Sequence, residues 1–396
     1  MATVDDPIIT SLLDNDLYKF SMQNAVFRLF PDACVEYSFI DRGQTKWSPM
    51  GESLKDQIQA YCELQFAEAE IDFLRRKCPY LSKHYLEWLQ GYRPDPDEVS
   101  LKWDGSLRNL TVRGPWYRTI LWEVPLMAMI SEQYYRSDPQ MDGKILDRSR
   151  DIEKARRMGR IAPYSDFGTR RRFSRENHER IVQIHKKHGG RRFQGTSNVW
   201  MAMKYDLDPR GTMAHEWIMF HAAAYGYRSA NEMALRNWYD VYKGELGIAL
   251  TDTYTSLRFF RDMDVDLAQI YDGLRHDSGD PIAFAYEAAD FYIENGIQPS
   301  SKKIVFSDGL TVDRAEEIYE ACKGVTKPSF GIGTHFTNDL GVPALNMVIK
   351  MTKASLEGED YFIPTVKLSD VSGKHTGSKE SVYSCKIQLG LAETGV

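Results

Sequence analysis

The sequence predicts an α/β protein in which parallel βα units follow an N-terminal α+β region. Helices and alternating strands mix up to about residue 130, and from about residue 160 short apolar runs are each followed by a helix. Asp252, Asp277, Asp308 and Gly333 each end such a run and are 25, 31 and 25 residues apart. One strand, one helix and two loops take about 30 residues, so this spacing indicates parallel βα units.

The composition is that of a globular protein and excludes several other classes. The 396 residues carry 50 Lys+Arg against 56 Asp+Glu, a net charge of −6, and 42% of them are hydrophobic. This length predicts two or three domains, and this composition excludes a disordered chain, a collagen-like fibre and a small disulfide scaffold. The acidic balance disfavours a nucleic-acid binder. No apolar run approaches the ~20 residues that a membrane helix needs.

The cysteines and the N-terminus predict a cytoplasmic protein. Five cysteines, an odd number without a C-x-x-C pair, fit a reducing compartment better than a disulfide framework or a zinc knuckle. The opening MATVDDPIIT lacks the basic start and apolar stretch of a secretory signal.

The N-terminal region is predicted element by element. Asp and Asn capping candidates and helical apolar spacing predict a helix over 14–30. The alternation of VEYSFIDR predicts a strand over 35–42, and the pattern of residues 54–90 is mostly helical. Residues 98–122 are predicted to form strands that are separated at Gly and Pro residues. This α+β domain is predicted to span residues 1–130.

The βα region alternates strands and helices. The predicted strand runs are 247–254, 267–277, 302–309 and 328–334. The predicted helices are 255–262, 281–295 and 311–323, the last with Thr311 as N-cap and Gly324 as C-cap.

Reactive residues fall at or just after the ends of these runs: Asp252, Arg275, Asp277, Asp308, Gly331 and Gly333. In a closed βα barrel, all strand C-termini open on one face, where active sites form. An open doubly wound sheet would gather ligands at a switch point in strand order. Either architecture predicts a shared site for these residues.

Three segments have the chemistry of phosphate binding. Ser307–Gly309 and Gly331–Thr334 follow apolar strands, and glycine lets backbone N–H groups converge on an anion. Phe167–Arg172 adds three guanidinium groups. Gly331-x-Gly333 lacks the third Rossmann glycine, and the stretch 190–197 resembles a P-loop but has Thr in place of the required Lys. The three segments together predict a phosphorylated small ligand.

The stretch Arg275–Asp280 puts a cation, carboxylates and a glycine turn within six residues, which suits ribose hydroxyls, a ligand carboxylate or hydrated Mg²⁺. His215, in GTMAHEW, is a candidate base or phosphoryl-accepting nucleophile. Glu216 and His221 do not complete the zinc-protease spacing H-E-x-x-H. His185 and His188 are interpreted as a solvated helix end.

These motifs, in this order, resemble those of the nicotinate phosphoribosyltransferase family. The resemblance extends from near residue 10 to the C-terminus and rests on the following segments: DNDLYKFSM (14–22), DFGTRR (166–171), GTSN (195–198), GTMAHEW (211–217), RHDSGD (275–280), FSDGL (306–310), FGIGT (330–334) and VKLSD (366–370).

The resemblance implies a type II phosphoribosyltransferase fold, an irregular α/β barrel over 131–350 joined to the N-terminal α+β domain, with residues 351–396 packing back on that domain. It implies a homodimer with active sites shared between subunits. The implied reaction joins nicotinate to 5-phosphoribosyl 1-diphosphate (PRPP), giving nicotinate mononucleotide and diphosphate in NAD salvage. ATP hydrolysis is coupled through a phosphohistidine, as in a ligase, and Mg²⁺ accompanies the diphosphate.

The resemblance also implies residue roles. His215 is similar to the phosphorylated histidine, Arg275 to the partner of the nicotinate carboxylate, and Arg170 to a contact of the ribose phosphate. Tyr18 resembles the aromatic residue that stacks on the pyridine in the neighbouring subunit's site, and Phe167 resembles the opposite face. The other implied site residues are Asp277 and Asp280 at the ribose and diphosphate, Asp308, Gly309, Gly331, Gly333 and Thr334 at the 5-phosphate, and Gly168, Thr196 and Ser197.

Ser197 predicts nicotinate as the preferred substrate, because related nicotinamide enzymes carry an acidic residue there and Ser is neutral and can donate. Other hypotheses are a nicotinamide or quinolinate enzyme of the same fold, and a barrel aldolase or isomerase, although no lysine ends these strands. A nucleic-acid binder would use the basic segments 170–173 and 186–192.

Overall fold

The structure is a computed structural model of the chain and describes residues 6–137, 147–371 and 374–391. The outer ends of the predicted N-terminal domain and C-terminal segment, at 1–5 and 392–396, lie outside the described residues, as do 138–146 near the start of the predicted barrel domain. Within the described ranges, no helix is long and apolar enough to cross a membrane.

The helices and strands follow in chain order. The helices are α1 (Leu17–Leu29), α2 (Gly51–Cys62), α3 (Glu68–Lys77), α4 (Lys83–Gln90), α5 (Trp116–Thr119), α6 (Glu123–Arg136), α7 (Arg148–Ile161), α8 (Arg175–His188), α9 (Val199–Lys204), α10 (His215–Tyr225), α11 (Ala230–Tyr242), α12 (Ser256–Asp262), α13 (Val265–Ile270), α14 (Pro281–Glu294), α15 (Val312–Cys322), α16 (Thr334–Thr337) and α17 (Lys379–Leu389). The strands are β1 (Cys34–Asp41), β2 (Val99–Ser100), β3 (Thr111–Pro115), β4 (Tyr164–Asp166), β5 (Phe193–Thr196), β6 (Ile248–Leu250), β7 (Gly273–His276), β8 (Lys303–Phe306), β9 (Lys327–Ile332), β10 (Met347–Ser355) and β11 (Ile363–Pro364).

The chain divides into two compact units. Unit 1 comprises the described residues of Met1–Pro31, Tyr37–Gly211 and Gly331–Lys350, and unit 2 those of Asp32–Glu36, Thr212–Phe330 and Met351–Val396. The predicted domains, with boundaries near residues 130 and 350, stay a prediction.

Unit 2 confirms the predicted βα repeat. Strands β6, β7, β8 and the first residues of β9 pair in parallel, with Leu250 opposite Arg275, Arg275 opposite Val305 and Phe306 opposite Phe330. The helices between them begin at capping residues, as predicted for Thr311, whose side chain accepts from the Arg314 N–H at 3.1 Å. Parallel register brings the C-terminal ends of these strands to one edge.

Unit 1 holds the predicted N-terminal helix α1 and the helices α2 to α4. Its strands β2 and β3 pair antiparallel, and β4 and β5 pair in parallel, with Asp166 opposite Thr196. The α/β class, with parallel and antiparallel pairing, is therefore confirmed.

Two predicted strands are partly helical. The prediction for 98–122 is wrong after Pro115, because Trp116 begins α5 and a helical turn buries both Trp116 and Ile120 completely. The prediction for 267–277 is wrong for Leu267–Ile270, which belongs to α13. The Asp264 side chain caps that helix by accepting from the Leu267 N–H at 2.8 Å.

The interpretation of His185 as a solvated residue is also wrong. Its ring is fully buried, with its centroid 4.1 Å from that of Phe336, and its Nδ1 lies 3.0 Å from the Tyr164 hydroxyl. Burial lowers the pKa of His185 to about 3. His188, the last residue of α8, is only half-buried.

Candidate active site

In unit 2 the strand ends gather polar side chains at one edge. Thr251 and Asp252 follow β6, Asp277 follows β7 and Ser307 follows β8. Because these strands pair in parallel register, their first loop residues lie side by side, as predicted from their spacing. The Ser307 hydroxyl donates to the Asp277 carboxylate at 2.6 Å.

His215 is the first residue of α10, and its ring enters this edge. Its Nε2 lies 3.1 Å from Asp277 Oδ2, and its Nδ1 lies 3.0 Å from Thr253 Oγ1. The side chain is 5% exposed, but the groups around it are polar. Because His215 is the first residue of α10, its ring lies near the positive end of the helix dipole. The preceding residue, Ala214, has no side chain that could cap the helix.

Arg275, the third residue of β7, is brought together with His215 through Asp277. Its Nε donates to Ser307 Oγ at 2.8 Å, and its Nη2 donates to Asp277 Oδ1 at 3.0 Å. Each terminal nitrogen carries a second N–H, so the guanidinium keeps donors for a planar anionic group. Thus the predicted catalytic residues His215, Arg275 and Asp277 form one connected cluster.

A buried lysine completes this cluster. Lys367 Nζ lies 3.0 Å from His215 Nε2 and 3.2 Å from Asp252 Oδ2. His215, Asp252 and Asp277 come close enough to share a metal ion. The Lys367 ammonium, however, already lies against two of these groups, so we assign them no metal.

The charges of the cluster set its protonation. Burial first, and then the Lys367 charge, lower the pKa of His215 to about 4, although Asp252 and Asp277 act in the opposite direction. Burial alone would raise the pKa of Asp277, but Arg275, His215 and Lys367 hold it well below its usual range. At neutral pH the imidazole is therefore uncharged and the carboxylates are ionised.

The remaining predicted residues of unit 2 lie on adjoining turns. Asp280 caps α14 by accepting from the Ala283 N–H at 2.7 Å, and its side chain is exposed. Asp308 pairs with Lys374 at 3.1 Å. Gly309 is exposed with a φ of +57°, a conformation that favours glycine. No described contact joins Asp280 or Asp308 directly to His215.

In unit 1, Tyr18 and Arg170 meet around a buried glutamate. The Tyr18 hydroxyl donates to Glu123 Oε2 at 2.9 Å, and the Arg170 guanidinium lies 3.5 Å from Glu123 Oε1 and 5.8 Å from the Tyr18 ring centroid. Lys19 pairs with the same carboxylate at 2.8 Å. Burial opposes ionisation of Glu123, but Lys19, Arg170 and Lys350 lower its pKa to about 2.

The aromatic ring of Phe167 explains one predicted glycine. A Cβ on Gly331 would lie 2.3 Å from the Phe167 ring, so only glycine lets this ring pack against β9. Gly168, next in the chain, donates its N–H to Asp166 at 2.9 Å. Gly333 and Thr334 are half-buried where α16 begins.

The side chains of Thr196 and Ser197 donate hydrogen bonds to buried carboxylates of unit 1. The Thr196 hydroxyl donates to Asp166 at 2.6 Å, and the Ser197 hydroxyl donates to Asp16 at 2.7 Å. Both side chains are buried. Burial raises the pKa of Asp16, although Arg170, Thr169 and Ser197 act in the opposite direction. The preference for nicotinate that was inferred from Ser197 stays a prediction.

Sequence reasoning missed two charged residues at these clusters, Glu123 and Lys367. Glu123 is a charged residue within the apolar stretch 119–130, and Lys367 entered the sequence analysis only as part of the segment VKLSD (366–370). A lone carboxylate among apolar helix residues is itself a signal, because such a group is rarely buried without a partner. The contact of Lys367 with His215 left no signal, since 152 residues separate them.

Known proteins and family models match this chain over nearly its whole length. The model of the nicotinate phosphoribosyltransferase (NAPRTase) family matches residues 163–392, and that of the NAPRTase N-terminal domain matches residues 13–131. A nicotinate phosphoribosyltransferase of Chromohalobacter salexigens is 49% identical over 97% of this chain and 99% of that protein. One of Methanosarcina mazei is 42% identical over 97% of this chain and 98% of that protein.

Solved structures agree with the fold as well. The nicotinate phosphoribosyltransferase of Porphyromonas gingivalis superposes with a TM-score of 0.91 at 43% identity, covering 97% of this chain and 100% of that one. That of Vibrio cholerae gives a TM-score of 0.90 at 32% identity, covering 99% of this chain and 96% of that one. These likenesses confirm the fold class that the sequence resemblance implied.

Proposed function

The chain belongs to the nicotinate phosphoribosyltransferase family, and from this premise we propose that it joins nicotinate to PRPP in a reaction coupled to ATP hydrolysis. The products are nicotinate mononucleotide and diphosphate, with ADP and phosphate from ATP. The observation that carries the ATP coupling is the placement of His215, an uncharged imidazole at a helix N-terminus between Thr253 and Asp277.

The transfer step needs charge stabilisation more than a base. The pyridine nitrogen of nicotinate forms a bond to the anomeric carbon, and the bond from that carbon to the diphosphate oxygen breaks with its electron pair on the diphosphate. The sugar is cationic as this happens. Asp277, ionised beside Arg275, supplies the negative charge that stabilises it, and Mg²⁺ bound to the diphosphate would stabilise the leaving group.

Arg275 supports the choice of an acidic pyridine. Its guanidinium, 16% exposed and held by Ser307 and Asp277, keeps N–H donors for a carboxylate. Asp280, Asp308 and Gly309 are proposed for the ribose and phosphates. The unit 1 residues are proposed by resemblance alone, with Tyr18 and Phe167 at the pyridine, Arg170 at a phosphate, and Gly168, Thr196, Ser197, Gly331, Gly333 and Thr334 along the substrates.

His215 suits the role of a phosphoryl acceptor. Nδ1, hydrogen-bonded to Thr253, fixes the ring orientation, and the N-terminal end of α10 favours an added negative charge. A phosphohistidine near the diphosphate can change the affinity for substrates and products, which lets ATP drive the transfer without touching nicotinate. A homodimer with shared sites, which the family resemblance implies, and a cytoplasmic location, which the cysteine usage predicts, complete the proposal.

The reaction itself is tested by product analysis. We expect purified protein with PRPP, Mg²⁺ and nicotinate to form nicotinate mononucleotide, and ATP to increase the yield and release ADP. Nicotinamide and quinolinate serve as parallel substrates. Product from either of them, and none from nicotinate, would replace the proposed substrate, and an ATP-insensitive yield would remove the coupling.

Arg275→Ala should raise the KM for nicotinate about tenfold to a hundredfold, because losing one ionic hydrogen bond costs ~1.5–3 kcal/mol, and should change the KM for PRPP much less. Steady-state kinetics with each substrate varied in turn measures both constants. Arg261→Ala, at an exposed arginine of α12, is the matched control and should leave both unchanged. Equal increases for the two substrates would move Arg275 away from nicotinate.

A further inference from the structure

The Lys367 side chain is a buried ammonium held against the ring of His215. It is 8% exposed, and its Nζ lies 3.0 Å from His215 Nε2 and 3.2 Å from Asp252 Oδ2. Its backbone is fixed, because its N–H and C=O both pair with Thr376 and the next N–H, of Leu368, donates to the Thr253 carbonyl at 2.8 Å. Thr253 is the residue that holds the other ring nitrogen.

The charges around the ring balance only when Lys367 is counted. Asp252 follows β6 and Asp277 follows β7, and each carries a negative charge at 3.8 Å and 3.1 Å from Nε2, respectively. Arg275 pairs with Asp277, and Lys367 pairs with Asp252. Two carboxylates thus face two cations, and the dipole of α10 adds a positive end. An added proton on His215 would leave this buried cluster with an excess positive charge.

We propose that Lys367 is a positioning residue for the phosphorylation of His215: it keeps the imidazole neutral with its lone pair on Nε2, and then pairs with the incoming phosphoryl group. This inference rests on the proposed function. An ammonium has three donors and no acceptor, so a hydrogen bond from Lys367 to Nε2 needs the ring lone pair there and the ring proton on Nδ1 toward Thr253. The ionised Asp277 oxygen, 3.1 Å from the same nitrogen, favours the opposite tautomer, and the reactive state is the one in which Lys367 makes the hydrogen bond.

The step is balanced without a separate base. The Nε2 lone pair forms the bond to the γ-phosphorus of ATP, and the bond from that phosphorus to the β,γ-bridging oxygen breaks with its electron pair on ADP. The Nδ1 proton stays in place. Because Lys367 donates to the same lone pair, its ammonium must leave Nε2 as phosphate enters. Its flexible stem lets it turn to the non-bridging oxygens, where a charge-assisted hydrogen bond is strongest.

The experiment compares Lys367→Met with Lys353→Met, a half-exposed lysine of unit 2 that pairs with Glu36. Incorporation of ³²P from γ-labelled ATP gives the phosphorylation rate. We expect Lys367→Met to be slower by about tenfold to a hundredfold, the usual effect of losing one charged hydrogen bond, and Lys353→Met to match wild type.

A second measurement separates this role from a structural one. NMR titration of ¹³C-labelled histidine, with the His215 signal identified by its loss in His215→Ala, gives the ring pKa without ATP. Wild type and Lys353→Met should titrate well below the ordinary value of about 6.5. Lys367→Met should titrate at a higher pH than wild type, because the Lys367 charge no longer lowers the pKa of His215 while Asp252 and Asp277 still raise it and burial still lowers it. Lys367→Arg keeps the charge and should restore the low value.

The two proposals fail in different ways. Equal labelling of the two Met variants, or an unshifted His215 titration in Lys367→Met, would overturn the role of Lys367. Absence of label in wild type would instead overturn the phosphohistidine. If Lys367→Met does not fold, wild type still tests the inference, because a His215 midpoint near the ordinary value in wild type contradicts it.

Discussion

His215→Ala is expected to abolish the incorporation of acid-labile ³²P from γ-labelled ATP and the stimulation of the transfer by ATP. The physical reason is that, among the histidines of the described ranges, this ring alone combines a neutral imidazole with the polar contacts to Thr253, Asp277 and Lys367. Slow transfer without ATP should persist, because the pyridine nitrogen of nicotinate needs no activation by the histidine.

The matched control for this prediction is His221→Ala. His221 lies on the same helix, is also buried, and has a pKa that burial likewise lowers to about 4. Its ring nitrogens contact the Trp217 carbonyl and Asn237 instead of carboxylates. It should keep the label. Acid-labile phosphate that remains in His215→Ala would transfer the role to another residue.

Asp14→Ala is expected to lower the free energy of unfolding by about 3–5 kcal/mol, because it leaves the Arg172 guanidinium buried without its partner. The pair is bidentate, at 2.7 and 2.8 Å, with both side chains almost completely buried. Burial opposes ionisation of Asp14, but Arg172 and Asn198 hold its pKa below the usual range. Denaturant unfolding monitored by circular dichroism measures the change.

The double variant Asp14→Ala with Arg172→Met supplies the control. Removing both charges removes the uncompensated one, so the double variant should recover much of the lost stability. Asp72→Ala breaks an exposed pair with Arg75 and should cost less than about 1 kcal/mol. A single variant as stable as wild type would show that water reaches Arg172.

Where the sequence patterns are strong, they were sufficient to predict the helices and strands. The βα spacing predicted the parallel strands of unit 2, and Thr311 was recognised as a helix cap because a cap is a local hydrogen bond. The errors came where burial overrode local pattern. The residues after Pro115 form a helix because it buries Trp116 and Ile120, and His185 is buried against Phe336.

For the candidate site too, some features followed from the sequence and others only from the tertiary structure. Arg275 is the last residue but one of β7, Asp277 follows that strand, and Ser307 follows the neighbouring parallel strand β8, so sequence spacing alone determined that they share an edge. Side-chain contacts were decided only by the tertiary structure: Lys367 against His215, Glu123 among its cations, and the Ser197 hydroxyl on Asp16. Periodicity encodes which face of an element is buried, whereas a contact between distant residues depends on how whole elements pack, which no local pattern records.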